Sequence, residues 1–175
     1  RGRSIAEQAR WQPDFPMLSV FQKADQGISR ALYYVFCIPN ITVMVLCALL
    51  VILIFHKYNN WFYRGISLFP VVLLSVMGLL APLTQTVFPG IFKMSQQEAD
   101  KTLHGMINFN NFSIVYGYIS FFIFAIAFVC ILVSIYLIFG GNENGIILIV
   151  LLISSFATAA VMGFSPTIWA SGERT

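Results

Sequence analysis

Long apolar runs alternate with short polar breaks along this chain. Asp, Glu, Lys, Arg and His are absent from residues 31–55, 65–92, 105–142 and 144–172. Each run exceeds the roughly 20 apolar residues that carry a helix across a bilayer. In lipid a backbone amide has no water to bond, so a spanning run must be helical. The pattern predicts an all-α polytopic transmembrane helix bundle of about four spans, with short interfacial helices. The spans are expected at 31–55, 66–88, 112–139 and 146–164, within one membrane domain covering 31–175.

Residues 1–30 are mixed and polar, broken by Pro13 and Pro16. Met17, Leu18, Phe21, Ala24, Ile28 and Leu32 recur at mostly three- and four-residue spacing. That period predicts an amphipathic helix lying at the membrane surface and leading into the first span, with Gly27 weakening it. An irregular loop following an earlier span is the competing reading. Pro39-Asn40 predicts a kink or a helix start, because proline lacks an amide donor and clashes with the turn before it.

The stretch His56–Arg64 reads as a short interfacial loop. Tyr58, Trp61 and Tyr63 suit headgroup depth, Lys57 and Arg64 bracket them, and His56 is a plain interfacial histidine. The second run is too long for one straight crossing. Pro70 fits its first helical turn, while Pro82 and Pro89 bracket an irregular polar exit. Thr84, Gln85 and Thr86 would need protein or water partners at membrane depth, so they are expected to face a cavity.

Residues 93–111 form the most polar connection. Ser95-Gln-Gln-Glu98 is a capping-box pattern, predicting a surface helix from Gln96 to about His104 that stops at Gly105. An aromatic-rich third span begins near Tyr116-Gly-Tyr118. Gly140–Gly145 is a tight turn, which makes spans three and four antiparallel neighbours. Ser155, Ala159 and Gly163 fall four apart on the fourth span, and small residues on one stripe let helices approach closely. Counting crossings puts the amino-terminal segment, the 93–111 connection and the tail on one side, and the two short turns on the other. Lys57 and Arg64 favour the short-turn side as cytoplasmic, with Lys23, Arg30, Lys93 and Lys101 opposing.

Composition agrees with lipid as the main solvent. The 175 residues are 58% apolar and 10% charged, where an ordinary soluble domain carries about 25% charged residues. The net charge of +3 is too small and scattered to argue for nucleic acid. Cys37, Cys47 and Cys130 all lie in apolar runs with no Cys-x-x-Cys or Cys/His cluster, so they read as small apolar fillers rather than metal ligands or a disulfide. The chain begins Arg-Gly-Arg and ends in polar Ser-Gly-Glu-Arg-Thr, which predicts a segment of a longer chain whose remaining spans pack with this one.

No signature of soluble catalysis is present: no phosphate loop, no Gly-x-Ser-x-Gly, no zinc spacing. Glu98 and Asp100 are two apart, a spacing that turns them onto different helix faces and makes a poor acid/base pair. Asn40-Ile-Thr42 and Asn111-Phe-Ser113 match the glycosylation sequon but lie at or inside the bilayer. Two places are less bland. Met77-Gly-Leu-Leu-Ala-Pro82 and Met162-Gly-Phe-Ser-Pro166 each end an aliphatic run, hinting at duplicated helix hairpins. Both exits fall on the same side, so their polar atoms could converge with the 93–111 connection.

The second of these exits carries a resemblance. Gly163-Phe-Ser-Pro-Thr-Ile-Trp-Ala-Ser-Gly-Glu-Arg-Thr175 resembles a motif in an uncharacterised family of bacterial polytopic membrane proteins, the domain-of-unknown-function 6056 type. That family is similar in hydropathy to multi-spanning, lipid-sugar-dependent glycosyltransferases, including O-antigen glucosyltransferases. The resemblance implies a bacterial inner-membrane protein that takes sugar from a polyprenyl-phosphate donor, with an acidic base in an early external loop that this segment does not include. No catalytic residue, metal or cofactor is thereby assigned here. What carries over is a phosphate contact: Arg174 has the forked guanidinium that suits a lipid-linked phosphate. With Ser165, Thr167 and Thr84, Gln85 and Thr86 it would border the substrate pocket. A transporter or flippase whose broken helices at Pro39 and Pro82 line a path, and a non-catalytic membrane scaffold, are the alternatives.

Overall fold

The computed structural model describes residues 15–36, 40–79, 106–107 and 115–164. Within them the protein is an all-α helical bundle. A short 3-10 turn, Phe15–Met17, precedes α1 (Val20–Phe36), followed by α2 (Ile41–Lys57) and α3 (Trp61–Leu74). A π-helical turn, Ser75–Leu79, ends α3; then come α4 (Val115–Phe139) and α5 (Glu143–Val161), which closes in a 3-10 turn, Met162–Phe164.

Local chemistry sets the helix starts. Ser19 and Gln22 form a reciprocal capping box: the Gln22 N–H donates to Ser19 Oγ at 3.3 Å, and the Ser19 N–H to Gln22 Oε1 at 2.7 Å. That box lets α1 start cleanly and run through Gly27. Asn40 caps α2 by accepting from the Val43 N–H, so the expected event at Pro39-Asn40 is a helix start. Asn60 caps α3 by accepting from the Phe62 N–H at 2.9 Å.

The Asn60 cap corrects two expectations. The segment 56–64 is not one loop but two helix ends joined by residues 58–60. Pro70 is therefore interior to α3 rather than in its first turn. It is fully buried, and its missing amide leaves one carbonyl of the preceding turn without its helical partner.

Helix α4 is apolar all round and packs against each of the other four helices, so it forms the axis of the bundle. Phe36 of α1 stacks on Phe124 of α4 with ring centroids 5.7 Å apart and planes 6° apart. Leu32, Cys47, Leu50, Leu74, Ile131 and Ile135 close the core around them. In lipid, burying apolar surface brings little hydrophobic gain, so close packing and hydrogen bonds must hold these helices together. Cys47 is buried and Cys130 half-buried, both as free thiols.

Among the described residues two helices are long and apolar enough to cross a membrane: α4 over Tyr118–Phe139, with mean hydropathy 3.0, and α5, with mean hydropathy 2.2. The pair α1 and α2, bent by 70° between them, also passes when taken as one crossing. Helix α3, apolar through Met77, is shorter. Most of α5 is uncovered by protein, as expected of a face turned to lipid. The chain is thus a membrane protein by helix length and polarity.

The two short turns lie at one end of the bundle. Lys57 Nζ donates to the carbonyls of Leu137 and Ile138 at 2.9 and 2.7 Å, and the Tyr58 hydroxyl to Leu137 at 2.9 Å. A cation here satisfies the terminal carbonyls of α4 and complements its dipole. Arg64 does the same for α2, donating to the carbonyls of Tyr58 and Phe55. Gly140 and Gly141 turn the chain into α5 with φ of 63° and 77°, a region in which side-chain-bearing residues are strained.

At the opposite end α1 and α5 cross in backbone contact. A Cβ on Gly163 would run into the Lys23 carbonyl and lie 2.5 Å from Gly27 N and Cα. A Cβ on Gly27 would overlap the Ala160 carbonyl group. Of the small-residue stripe on α5, Gly163 alone is buried in this crossing. Ser155 and Ala159 are exposed and border a groove instead. The expected contact along the whole stripe is therefore corrected: Gly163 meets α1, while Ser155 and Ala159 face the groove.

Candidate functional site

The sequence-predicted pocket residues Thr84, Gln85, Thr86, Ser165, Thr167 and Arg174 lie outside the described residues. So do Pro82, Pro89, the Ser95–Glu98 capping pattern, Asp100 and Cys37. The structure instead reveals a polar site on α1.

A helix lying at the surface with its polar side toward water would expose its ionisable groups. Here α1 turns them inward. Asp25, Gln26 and Ser29 are 4%, 1% and 0% exposed, and Arg30 is 9% exposed. Met17, Val20 and Phe21 point outward. Burying a carboxylate and a guanidinium costs several kcal/mol unless their hydrogen bonds are met, so such groups inside a membrane bundle mark a specific role.

Asp25 and Ser29 stand one helical turn apart and act as a clip. The Ser29 hydroxyl donates to Asp25 Oδ1 at 3.0 Å and accepts from the Met106 N–H at 2.8 Å. Asp25 Oδ1 also accepts from the Ile107 N–H at 3.3 Å. Two successive backbone amides of the α3–α4 connection are thereby tied to α1, and the Met106 side chain enters the same core as Leu32 and Met77. The crossing with Gly163 uses Lys23 and Gly27 of the same two turns. Over the same two turns, helix α1 thus holds residues 106–107 on one face and the end of α5 on the other.

On the next turn Arg30 Nη2 donates to the Tyr34 hydroxyl at 2.8 Å, with the guanidinium carbon 4.9 Å from the ring centroid. Tyr34 borders the groove, a space of about 240 Å³ beneath the end of α1. Phe128 and Ile131 of α4 form its floor, Val43 and Leu46 of α2 one wall, and Ser155 and Ala159 of α5 the other. The site therefore combines a hydrogen-bonded anion, a cation and an apolar channel. Among the described residues, no group of three His, Cys, Asp or Glu is placed to hold a metal.

The apolar positions of this helix give its amphipathic period but not the chemistry of its polar side. The signal was present: Gln22, Asp25, Gln26, Ser29 and Arg30 recur at three- and four-residue spacing, which places them on one side of a helix. No family model, curated protein or solved structure matches the chain.

Proposed function

We propose that this chain is the later membrane portion of an inner-membrane protein that transfers sugar from a polyprenyl-phosphate donor to envelope polysaccharide. The resemblance of residues 163–175 to the bacterial family supports the reaction class. The structural observation beside it is that α1 holds both flanks of the reading, Met106 and Ile107 on its Asp25–Ser29 face and Gly163, two residues before Ser165, on its Lys23–Gly27 face.

In the transfer the acceptor hydroxyl oxygen bonds the anomeric carbon as the bond to the phosphate oxygen breaks. The hydroxyl proton passes to a base on the full-length protein, and polyprenyl phosphate leaves with the electron pair. Arg174, with Ser165 and Thr167, would hold that phosphate, whose charge grows as the bond breaks. Thr84, Gln85 and Thr86 border the same pocket in this reading.

The test uses the full-length protein in membrane vesicles supplied with a labelled polyprenyl-phosphate sugar. Arg174→Lys should lower incorporation about tenfold or more, since ammonium cannot reproduce the bidentate fork, while membrane insertion stays intact. Unchanged incorporation in Arg174→Lys and Arg174→Ala overturns the role. The 70° bend between α1 and α2 favours one second reading, a transporter with a broken helix. In that case label crosses the bilayer with its sugar–phosphate bond intact.

A further inference from the structure

At the short-turn end of the bundle a second groove, of about 440 Å³, lies between α3 and α4. Gly65 makes it: a Cβ there would meet no atom within 4 Å, while the rings of Trp61, Phe62 and Phe69 stand one turn to either side. Ile126 and Cys130 of α4 line the other wall. Trp61, Phe62, Gly65, Phe69 and Ile126 are all exposed, so the groove opens outward from the bundle. Its depth follows from the membrane-crossing helices. Residues 140–142 join α4 to α5, so that turn lies at a bilayer surface. Lys57 and Tyr58 bond carbonyls in the last turn of α4, and Arg64 bonds Tyr58, which sets the first turn of α3 at the same level. From Trp61 to Phe69 the lining runs about 12 Å at 1.5 Å per residue, close to the roughly 15 Å of hydrocarbon in one leaflet. A packed helix would use the whole thickness of the bilayer. A groove confined to one leaflet has the reach of a lipid tail.

The mouth supplies a polar end. Trp61 lines the groove, and among the described residues its indole N–H has no acceptor. Arg64 stands beside it, half-buried, with its guanidinium carbon 5.8 Å from the Trp61 ring. Its Nε and Nη2 donate to the carbonyls of Tyr58 and Phe55, which leaves Nη1 for a further acceptor and the charge without a carboxylate among the described residues. We propose that the groove holds one acyl chain of an anionic glycerophospholipid, with its phosphate at Trp61 and Arg64. The chain occupies the space of the side chain that Gly65 lacks, and the phosphate accepts from indole and guanidinium. Tryptophan and arginine are ordinary residues at headgroup depth, and the recess at Gly65 is what turns them into a site. This site lies at the opposite end of the bundle from Gly163 and does not depend on sugar transfer.

Native mass spectrometry of the protein released from nanodiscs of phosphatidylglycerol and phosphatidylcholine in equal amounts tests the assignment. One phosphatidylglycerol should remain bound in preference to phosphatidylcholine. Gly65→Leu fills the recess from α3, and Ile126→Trp narrows it from α4. Each should lower the retained adduct about tenfold, while Leu151→Phe, on the exposed side of α5, should keep it. Arg64→Gln should hold the two lipids equally. Equal retention in Gly65→Leu, Ile126→Trp and Leu151→Phe overturns the site, and equal retention of the two lipids by the parent protein overturns the phosphate contact at Arg64. A lipid-free dimer that Gly65→Leu converts to monomer would make a second copy the occupant and overturn the lipid.

Discussion

Replacing Gly163 by alanine should loosen the bundle, whereas the same change at Gly65 should tighten it. At Gly163 the added methyl group meets the Lys23 carbonyl and lies 2.5 Å from Gly27 N and Cα. All three are backbone atoms, so no rotamer change relieves the overlap and α1 must move away from α5. Overpacking of this kind costs about 1–3 kcal/mol, and a backbone clash belongs at the upper end. At Gly65, inside α3, a methyl group meets nothing within 4 Å. There the helix preference for alanine acts alone, adding about 1 kcal/mol. The two variants should therefore differ by roughly 3–4 kcal/mol in opposite directions.

At about 2–4 °C per kcal/mol for a chain of this size, that gap is on the order of 10 °C in melting temperature. Thermal unfolding in mild detergent, followed by a thiol-reactive dye as buried Cys47 becomes accessible, measures it. Gly27→Ala gains the same helix propensity but overlaps the Ala160 carbonyl group, also backbone, so it too should melt well below Gly65→Ala. The Gly27→Ala/Gly163→Ala pair should cost less than the sum, because one separation of α1 and α5 relieves both clashes. Equal melting temperatures for Gly163→Ala and Gly65→Ala would refute the backbone crossing.

Three further outcomes are expected. Ser29→Ala removes the acceptor for the Met106 N–H and a donor to Asp25, which should cost about 1–3 kcal/mol. Limited proteolysis near residues 106–107 should then speed up, and an unchanged cleavage rate would exclude the clip. Lys57→Gln removes the cation from the end of α4 and should lower stability by about 0.3–1 kcal/mol in detergent melting, with Lys57→Arg close to the parent. In a chain cleared of native cysteines, Asn60→Cys and Asn142→Cys should react with an impermeant maleimide from the same side and Met17→Cys from the other. Labelling of Asn60→Cys and Asn142→Cys from opposite sides would contradict the Lys57–Leu137 hydrogen bond.

Much of the architecture was legible in residue order because lipid imposes a simple rule. A charge-free run of sufficient length has to be helical, and the runs ending at Phe139 and beginning near Ile146 became α4 and α5. Asn40 announced the start of α2 by its own side chain. Local signals also misled where two were superposed. The aromatic and basic residues of 56–64 look like a loop, yet Lys57 and Arg64 serve as caps on helix ends. Their partners are carbonyls, which every residue carries, so no sequence pattern marks them.

Sequence by itself determined that the chain is helical, that it belongs in a membrane, and where its polar breaks fall. These depend on each residue's solvation and on hydrogen bonds within a few positions. Tertiary structure decided which way α1 faces. The same amphipathic period serves a helix lying on water or one clipped to Met106 and Ile107, and only contacts 77 and 82 residues away choose between them. It also decided which member of the small-residue stripe is buried, since the angle between α1 and α5 brings Gly163 against Gly27 and leaves Ala159 beside an open groove. Spacing along one helix fixes a face, but the distance to a second helix is a property of both.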